Sequence, residues 1–362
     1  DIADNYITLG NTYIIKWLCE KYPSPTKPIP INIMTATRLV WILSLILPAL
    51  GYTGNAVAAP NILLIIGDDM GTETLASYDL GEDTPATAAL DLLAEEGVRF
   101  TNFWSQPACS PTRATLLTGR YGFRTGVGWP ISSNGEAPGP QPAPPAIPET
   151  ASAEFKRDGG TINPRSTVNW GLRNSEYTLP MAFGANPDLG YSTAAIGKWH
   201  LADKRNGWLD HPNMVGFDHF SGLILGAPES YFAWNKTING ELTGETGYTP
   251  TDKVDDAIEW IAGKGDSPWF LWLAFNLPHT PLHLPPEKTL QGDHSDIDPA
   301  AVPDRDSILH FRAMIEAMDT EIGRLLAALE PEIRQNTYVI FMGDNGSQGS
   351  AVSPPFERGK SK

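Results

Sequence analysis

An α/β fold built on a large, mostly parallel central sheet with flanking helices is what this sequence predicts, on three observations. Continuous apolar runs, Asn61 to Ile66, Trp269 to Asn276 and Thr337 to Met342, have the pattern of strands buried on both faces, since a half-exposed strand would alternate. Segments with helical spacing fall between them. Two of the runs end in short polar clusters, Asp68-Asp69 and Asp344-Asn345, and open α/β sheets collect ligands beyond the carboxyl ends of their strands.

Taken in order, Asn61 to Ile66 is the first strand. Asp83 to Glu96 reads as a helix on the spacing of Leu90, Leu93 and Ala94, with Gly97 where it would stop. Val98 to Phe103 has the composition of another strand, and Ser110 to Thr118 that of a helix, with Pro111 in its first turn and Gly119 after its end. Residues 129–170 break the rhythm: seven prolines lie between Pro130 and Pro148, which marks an irregular insertion. Tyr191 to Ile196 is a short strand leading into Gly197-Lys198-Trp199-His200. Beyond it come a helix over Asp252 to Ala262, the strand Trp269 to Asn276, a long amphipathic helix over Ser307 to Leu329, and the strand Thr337 to Met342.

The chain's 362 residues, 41% of them hydrophobic, are ample for one large core. A formal charge of −16 excludes nucleic acid as a main partner, because phosphate backbones require a basic footprint. An anionic substrate would need a local cluster of Arg, Lys and metal charge. Met34, Arg38, the apolar run Val40 to Leu50 and the small residues Ala56 to Ala59 follow the layout of a signal peptide over 34–59. Residues 1–33 are then an upstream leader outside the fold, and 60–362 the working domain. No stable membrane span is expected after cleavage, and the expected location is periplasmic or secreted.

Of the two cysteines, Cys19 and Cys109, only the second lies within that domain. By itself a lone Cys reads as a small buried hydrophobe. Its setting argues otherwise: Cys109 stands at a helix start, where partial positive charge favours anions, and Arg113 follows one turn later on the same face. Asp68, Asp69, Asp344 and Asn345 make an oxygen-only ligand set, suited to calcium or magnesium rather than zinc. Each polar cluster alone reads equally well as a turn or a helix cap.

The run Cys109-Ser110-Pro111-Thr112-Arg113, continued by Leu117-Thr118-Gly119-Arg120, resembles the signature of the type I sulfatases, with Asp68-Asp69 ahead of it and Gly197-Lys198-Trp199-His200 behind. The similarity covers about residues 60 to 362. It implies an alkaline phosphatase-like α/β sandwich. It also implies a formylglycine made from Cys109 by a separate formylglycine-generating enzyme, and a calcium ion (magnesium being the lesser candidate) held by Asp68, Asp69, Asp344, Asn345 and the modified residue. By the same resemblance the hydrated formylglycine attacks sulfur, His279 protonates the departing alcohol, and His200 removes a proton so that sulfate is expelled. Lys198 and Lys360 hold sulfate oxygens and Arg113 braces the nucleophile and metal. Lys198 and His200, two apart in a strand, would share a face. His283 reads as a supporting residue, and His211, His219, His294 and His310 match no family role.

The sequence departs from the pattern at Ala202-Asp203, where a Gly is usual, and it stops before the small C-terminal subdomain with which such proteins usually continue. The expected substrate is an aryl or carbohydrate sulfate ester. Residues 129–170 and the aromatic stretch Tyr231 to Trp234 are candidate walls for a sugar. Two other readings fit the same residues: a phosphonate monoester or phosphodiester hydrolase of the same superfamily, and an inactive fragment that binds sulfated glycans.

Overall fold

The structure, a computed structural model, describes residues 59–131, 171–300, 303–304, 307–349, 351–352, 356 and 359–360. The leader, nearly all of the signal peptide and most of the proline-rich insertion expected from the sequence lie outside these residues. Residues Ala59–Lys362 form one compact unit.

Among the described residues seven strands make one sheet: β1 (Asn61–Gly67), β2 (Ser192–Lys198), β3 (His219–Leu223), β4 (Ala233–Ile238), β5 (Glu241–Thr246), β6 (Trp269–Ala274) and β7 (Thr337–Gly343). Their spatial order is β5-β4-β3-β2-β6-β1-β7. The five strands from β3 to β7 through β1 run parallel, while β3–β4 and β4–β5 are antiparallel. The four main helices are α1 (Ala88–Glu96), α2 (Cys109–Thr118), α3 (Thr249–Ala262) and α4 (Ile308–Ala328).

Successive side chains of a strand point to opposite faces, and here both faces are covered. Leu63, Ile65, Leu271 and Leu273 pack against Val254 and Ala257 of α3 and Met314 and Met318 of α4. Their neighbours Leu64, Ile66, Phe270 and Trp272 pack on the other side with Ala114 and Leu117 of α2. The unbroken apolar runs are thus the two core faces read alternately.

Register places the site. β1 and β7 pair in step, ending with Gly67 opposite Gly343, so Asp68 and Asp344 leave the sheet side by side. The Asp344 amide donates to the Gly67 carbonyl at 3.0 Å, holding the two exits together. α2 starts at the same edge and ends at Gly119, whose left-handed backbone (φ 67°) returns its amide to the Thr115 carbonyl.

Three expectations change. Val98 to Phe103 joins no strand among the described residues, and Val98, Phe100 and Phe103 are largely exposed; strand propensity is realised only where a pleated, half-buried surface receives it. The first helix begins at Ala88 rather than Asp83, because its free amides find their acceptor in another element: Asp319 of α4 takes the Ala89 and Leu90 amides at 3.0 and 2.8 Å. The strand predicted to begin at Tyr191 runs Ser192–Lys198, so it stops before His200, whose backbone turns to φ 56°. His200 therefore reaches the site by a left-handed turn, not by strand alternation with Lys198.

Candidate active site

Cys109 occupies the first turn of α2 and is 1% exposed. Its Sγ lies 3.2 Å from His200 Nδ1. The other ring nitrogen of His200, Nε2, is 2.8 Å from the Ile131 carbonyl, which can only accept, so Nε2 carries the hydrogen and the Nδ1 lone pair faces position 109. Burial, and then the Lys198 charge, hold the His200 pKa well below the ordinary histidine range, which keeps the ring neutral. Burial pushes the Cys109 thiol up against the pull of Lys198, so the unmodified side chain is a protonated, weak nucleophile.

Around this pair the charged residues interlock. Arg113 is fully buried; its Nε and Nη2 donate to Asp344 Oδ2 at 3.0 and 2.8 Å, and its Nη1 to the Lys198 carbonyl at 2.7 Å. Lys198 is paired through Nζ with Asp68 Oδ2. Lys360 Nζ sits 2.6 Å from Asp69 Oδ1, which also accepts from Asn345 Nδ2 at 2.8 Å. His279 Nε2 is 3.8 Å from Asp69 Oδ2, and its Nδ1 donates to the Thr280 carbonyl at 2.8 Å. The catalytic and metal-ligand candidates of the sequence thus converge on one place, although Arg113 and Asp344 are 231 positions apart.

The donor set has the makings of a cation site. Asp68, Cys109 and Asp344 each offer a ligand atom within 4.8 Å of the others. Asp68 Oδ1 and Asn345 Oδ1 are buried oxygens with no hydrogen-bond partner, a costly arrangement unless something positive faces them. Burial and the neighbouring Asp68 charge push the Asp344 carboxyl up despite Arg113. Three carboxylates (Asp68, Asp69, Asp344) face three side-chain cations (Arg113, Lys198, Lys360), so the protein groups cancel and leave no surplus positive charge for an anion. A hard divalent cation fits on both counts. Asp69 stands beside the tight cluster, its oxygens engaged by Lys360, Asn345 and His279.

Several contributors carry no sequence signal. The Ser110 hydroxyl donates to the His200 carbonyl at 2.8 Å and accepts the Ile131 amide at 3.1 Å, closing the pocket wall. Asn276, read from the sequence only as the last residue of a strand, lies beyond the end of β6, and its carbonyl accepts the His279 amide at 2.8 Å. Of the aromatic stretch, Tyr231 and Trp234 are core residues at 1% and 6% exposure, and Phe232 alone of the three rings is exposed. His283 packs on Tyr231 with ring centroids 4.4 Å apart and hydrogen bonds to the Tyr248 hydroxyl, a supporting position.

The sulfatase family pattern matches residues 60–361, and the chain belongs to the sulfatase family. N-acetylgalactosamine-6-sulfatase of Sus scrofa is 30% identical over 360 residues, covering 90% of this chain and 57% of that protein. Arylsulfatase G of Mus musculus is 28% identical over 327 residues, covering 79% and 51%. Among solved structures, Ps i-CgsB in complex with k-i-k-neocarrahexaose matches with a TM-score of 0.63 and 26% identity, over 83% of this chain and 62% of that one. PsFucS1 sulfatase from Pseudoalteromonas sp. shares the fold at a TM-score of 0.57 and 23% identity, over 86% and 60%. The flanked, mostly parallel sheet is the alkaline phosphatase-like architecture of these neighbours. The chain spans little more than half the length of the curated relatives it matches.

Proposed function

We propose that this chain carries the active site of a sulfuric ester hydrolase that removes sulfate from a carbohydrate or aryl sulfate. The single observation that carries the reading is the seat of Cys109: buried at a helix start, 3.2 Å from a neutral His200 nitrogen and within a tight cluster with Asp68 and Asp344. The working groups are a formylglycine derived from Cys109 by a formylglycine-generating enzyme, and a calcium ion for which Asp68, Asp69, Asp344 and Asn345 are the protein ligands. Hydrated, the formylglycine would supply an oxygen nucleophile and a second hydroxyl, chemistry that a thiol lacks. The cation would supply Lewis-acid charge at that oxygen and at the sulfate.

The remaining work falls to the chain's own side chains. Lys198 and Lys360 bind sulfate oxygens as charge builds on them. His279 gives a proton from Nε2 to the departing alcohol oxygen, and its Nδ1–H bond to Thr280 keeps that nitrogen turned towards the site. His200 takes a proton at Nδ1 from the position-109 side chain, a direction set by the Ile131 carbonyl. Arg113 anchors Asp344 with two N–H donors on Oδ2, while the Asp69 amide reaches its Oδ1 at 3.3 Å, so the carboxylate is held beside position 109.

The carbohydrate class is favoured by the names of the relatives, which include an N-acetylgalactosamine-6-sulfatase, and by the solved complex of Ps i-CgsB with k-i-k-neocarrahexaose. The signal-like segment 34–59 supports a secreted or periplasmic location. The test is co-expression with a formylglycine-generating enzyme, mass spectrometry of the Cys109 peptide, and a panel of sulfate esters beside a phosphonate monoester. Conversion with preferential sulfate release is the expected result. A preference for the phosphonate would replace the reading with its superfamily rival, and tight glycan binding without turnover would replace it with a binding role.

A further inference from the structure

Lys253 of α3 takes no part in the chemistry above, yet it is a lysine only 1% exposed. Its Nζ donates to Asn276 Oδ1, a neutral amide oxygen, and lies 5.9 Å from the centroid of the Trp234 ring. Burial pulls its pKa down to about 7. An ammonium held away from water without a carboxylate in its hydrogen bond is an expensive feature. Its stem passes the backbone closely: a Cβ at Gly197 would stand 3.3 Å from Lys253 Cδ, and Gly197 itself is left-handed at φ 103°.

The partner is built into the site. The Gly226 carbonyl can only accept, so the Asn276 side chain turns its amide to Gly226 and its oxygen to Lys253. That amide, Nδ2, donates to the Gly226 carbonyl at 3.1 Å. Gly226 forms the surface under His200: a Cβ there would stand 2.6 Å from Cε1 and 2.8 Å from Nε2 of the imidazole. The Asn276 carbonyl in turn accepts the His279 amide at 2.8 Å, and the Tyr231 hydroxyl lies 2.6 and 2.7 Å from the Asn276 and His279 carbonyls.

We propose that Lys253 and Asn276 are a pair of positioning residues that set both candidate catalytic histidines, His200 through Gly226 and His279 through the 276–279 turn. The catalytic consequence rests on the reading of His200 and His279 as base and acid; the geometric one does not. Losing the ammonium leaves Asn276 Oδ1 buried and unpartnered, so the carboxamide is free to rotate and the Gly226 bond goes with it.

The test compares wild type with Lys253→Met, which keeps the stem and removes the donor. Nitrogen NMR of histidine side chains, in protein labelled only at histidine, reads ring geometry without any turnover. Wild-type His200 is expected as a single tautomer with hydrogen on Nε2, and Lys253→Met is expected to shift or broaden the His200 and His279 signals. In matured enzyme, the ratio of kcat/KM for an alkyl sulfate to that for 4-nitrophenyl sulfate is expected to fall at least tenfold. A poor leaving alcohol depends on a placed acid far more than nitrophenolate does. Lys253→Gln, which retains an N–H donor on a shorter stem, should fall between the two and replaces the methionine variant should that fail to fold. Altered ring signals with an unchanged ratio would leave the positioning standing and overturn the acid–base reading. Unchanged ring signals in a folded variant would overturn the positioning proposal itself.

Discussion

His200 holds its Nδ1 3.2 Å from Cys109 Sγ while the Ile131 carbonyl, 2.8 Å from Nε2, fixes which nitrogen bears the hydrogen. The base facing position 109, His200, is therefore defined by a main-chain acceptor beyond α2 and by a left-handed turn beyond β2.

From that relationship, His200→Ala in matured enzyme should slow steady-state turnover by about 10²- to 10⁴-fold, the usual worth of a placed acid–base group. The first release of alcohol, in an amount equal to the enzyme, should survive better than later cycles. Rapid-mixing kinetics with 4-nitrophenyl sulfate separates the two phases. An equal loss in both would place His200 in substrate binding instead.

A cation facing Asp68 Oδ1 and Asn345 Oδ1 binds the native state only, so it should raise stability by mass action, about 2.7 kcal/mol at a concentration a hundred times its Kd. Calcium should raise the Tm of wild type, a chelator should reverse it, and Asp68→Ala should remove the response. A calcium shift that persists in Asp68→Ala would move the ion elsewhere.

Arg113→Met leaves Asp344 buried without its fork, a change worth about 3–5 kcal/mol for a broken buried pair. Because calcium would face the same carboxylate, the loss measured by urea unfolding should be smaller with calcium than with chelator. Equal losses in both conditions would show that Asp344 does not face the cation.

His211 accepts the Trp199 indole N–H at Nδ1 (2.9 Å) and lies 2.7 Å through Nε2 from the Leu172 carbonyl, a neutral arrangement. Burial lowers its pKa from 6.5 to about 4. Between those values the unfolded chain binds the proton more readily, so stability rises with pH across the window. The contribution is complete above about pH 6.5 and lost as pH falls towards 4, about 3 kcal/mol over the full interval. His211→Gln can keep an acceptor and a donor without titrating. Its unfolding free energy should depend less on pH in this window than that of wild type, where a parallel slope would acquit His211. His283, lowered to about 4 by its own burial, titrates over the same range in both proteins.

What was legible varied with how local its cause is. The α2 helix was readable within a residue because Pro111 and Gly119 are signals inside the segment itself. The start of α1 was not, since its amides are taken by Asp319, some 230 positions away. Val98 to Phe103 shows the converse: a strand-like composition with no neighbouring strand to pair with it. Lys253 escaped notice because a lysine within an acidic helix looks like a solvated surface residue until the fold buries it.

The sequence by itself determined the parallel α/β class, the polar clusters at the ends of β1 and β7, and the chemistry available to Cys109, Arg113 and the histidines. These follow from periodicity, short motifs and residue type, which act over a turn or a strand. Only the tertiary structure decided that Gly67 and Gly343 end in register, that His200 presents Nδ1 to Cys109, and that Lys253 reaches Asn276 behind the site. Those outcomes depend on strand pairing and burial between distant segments, where hydrogen bonds and desolvation, not local propensity, choose the partner.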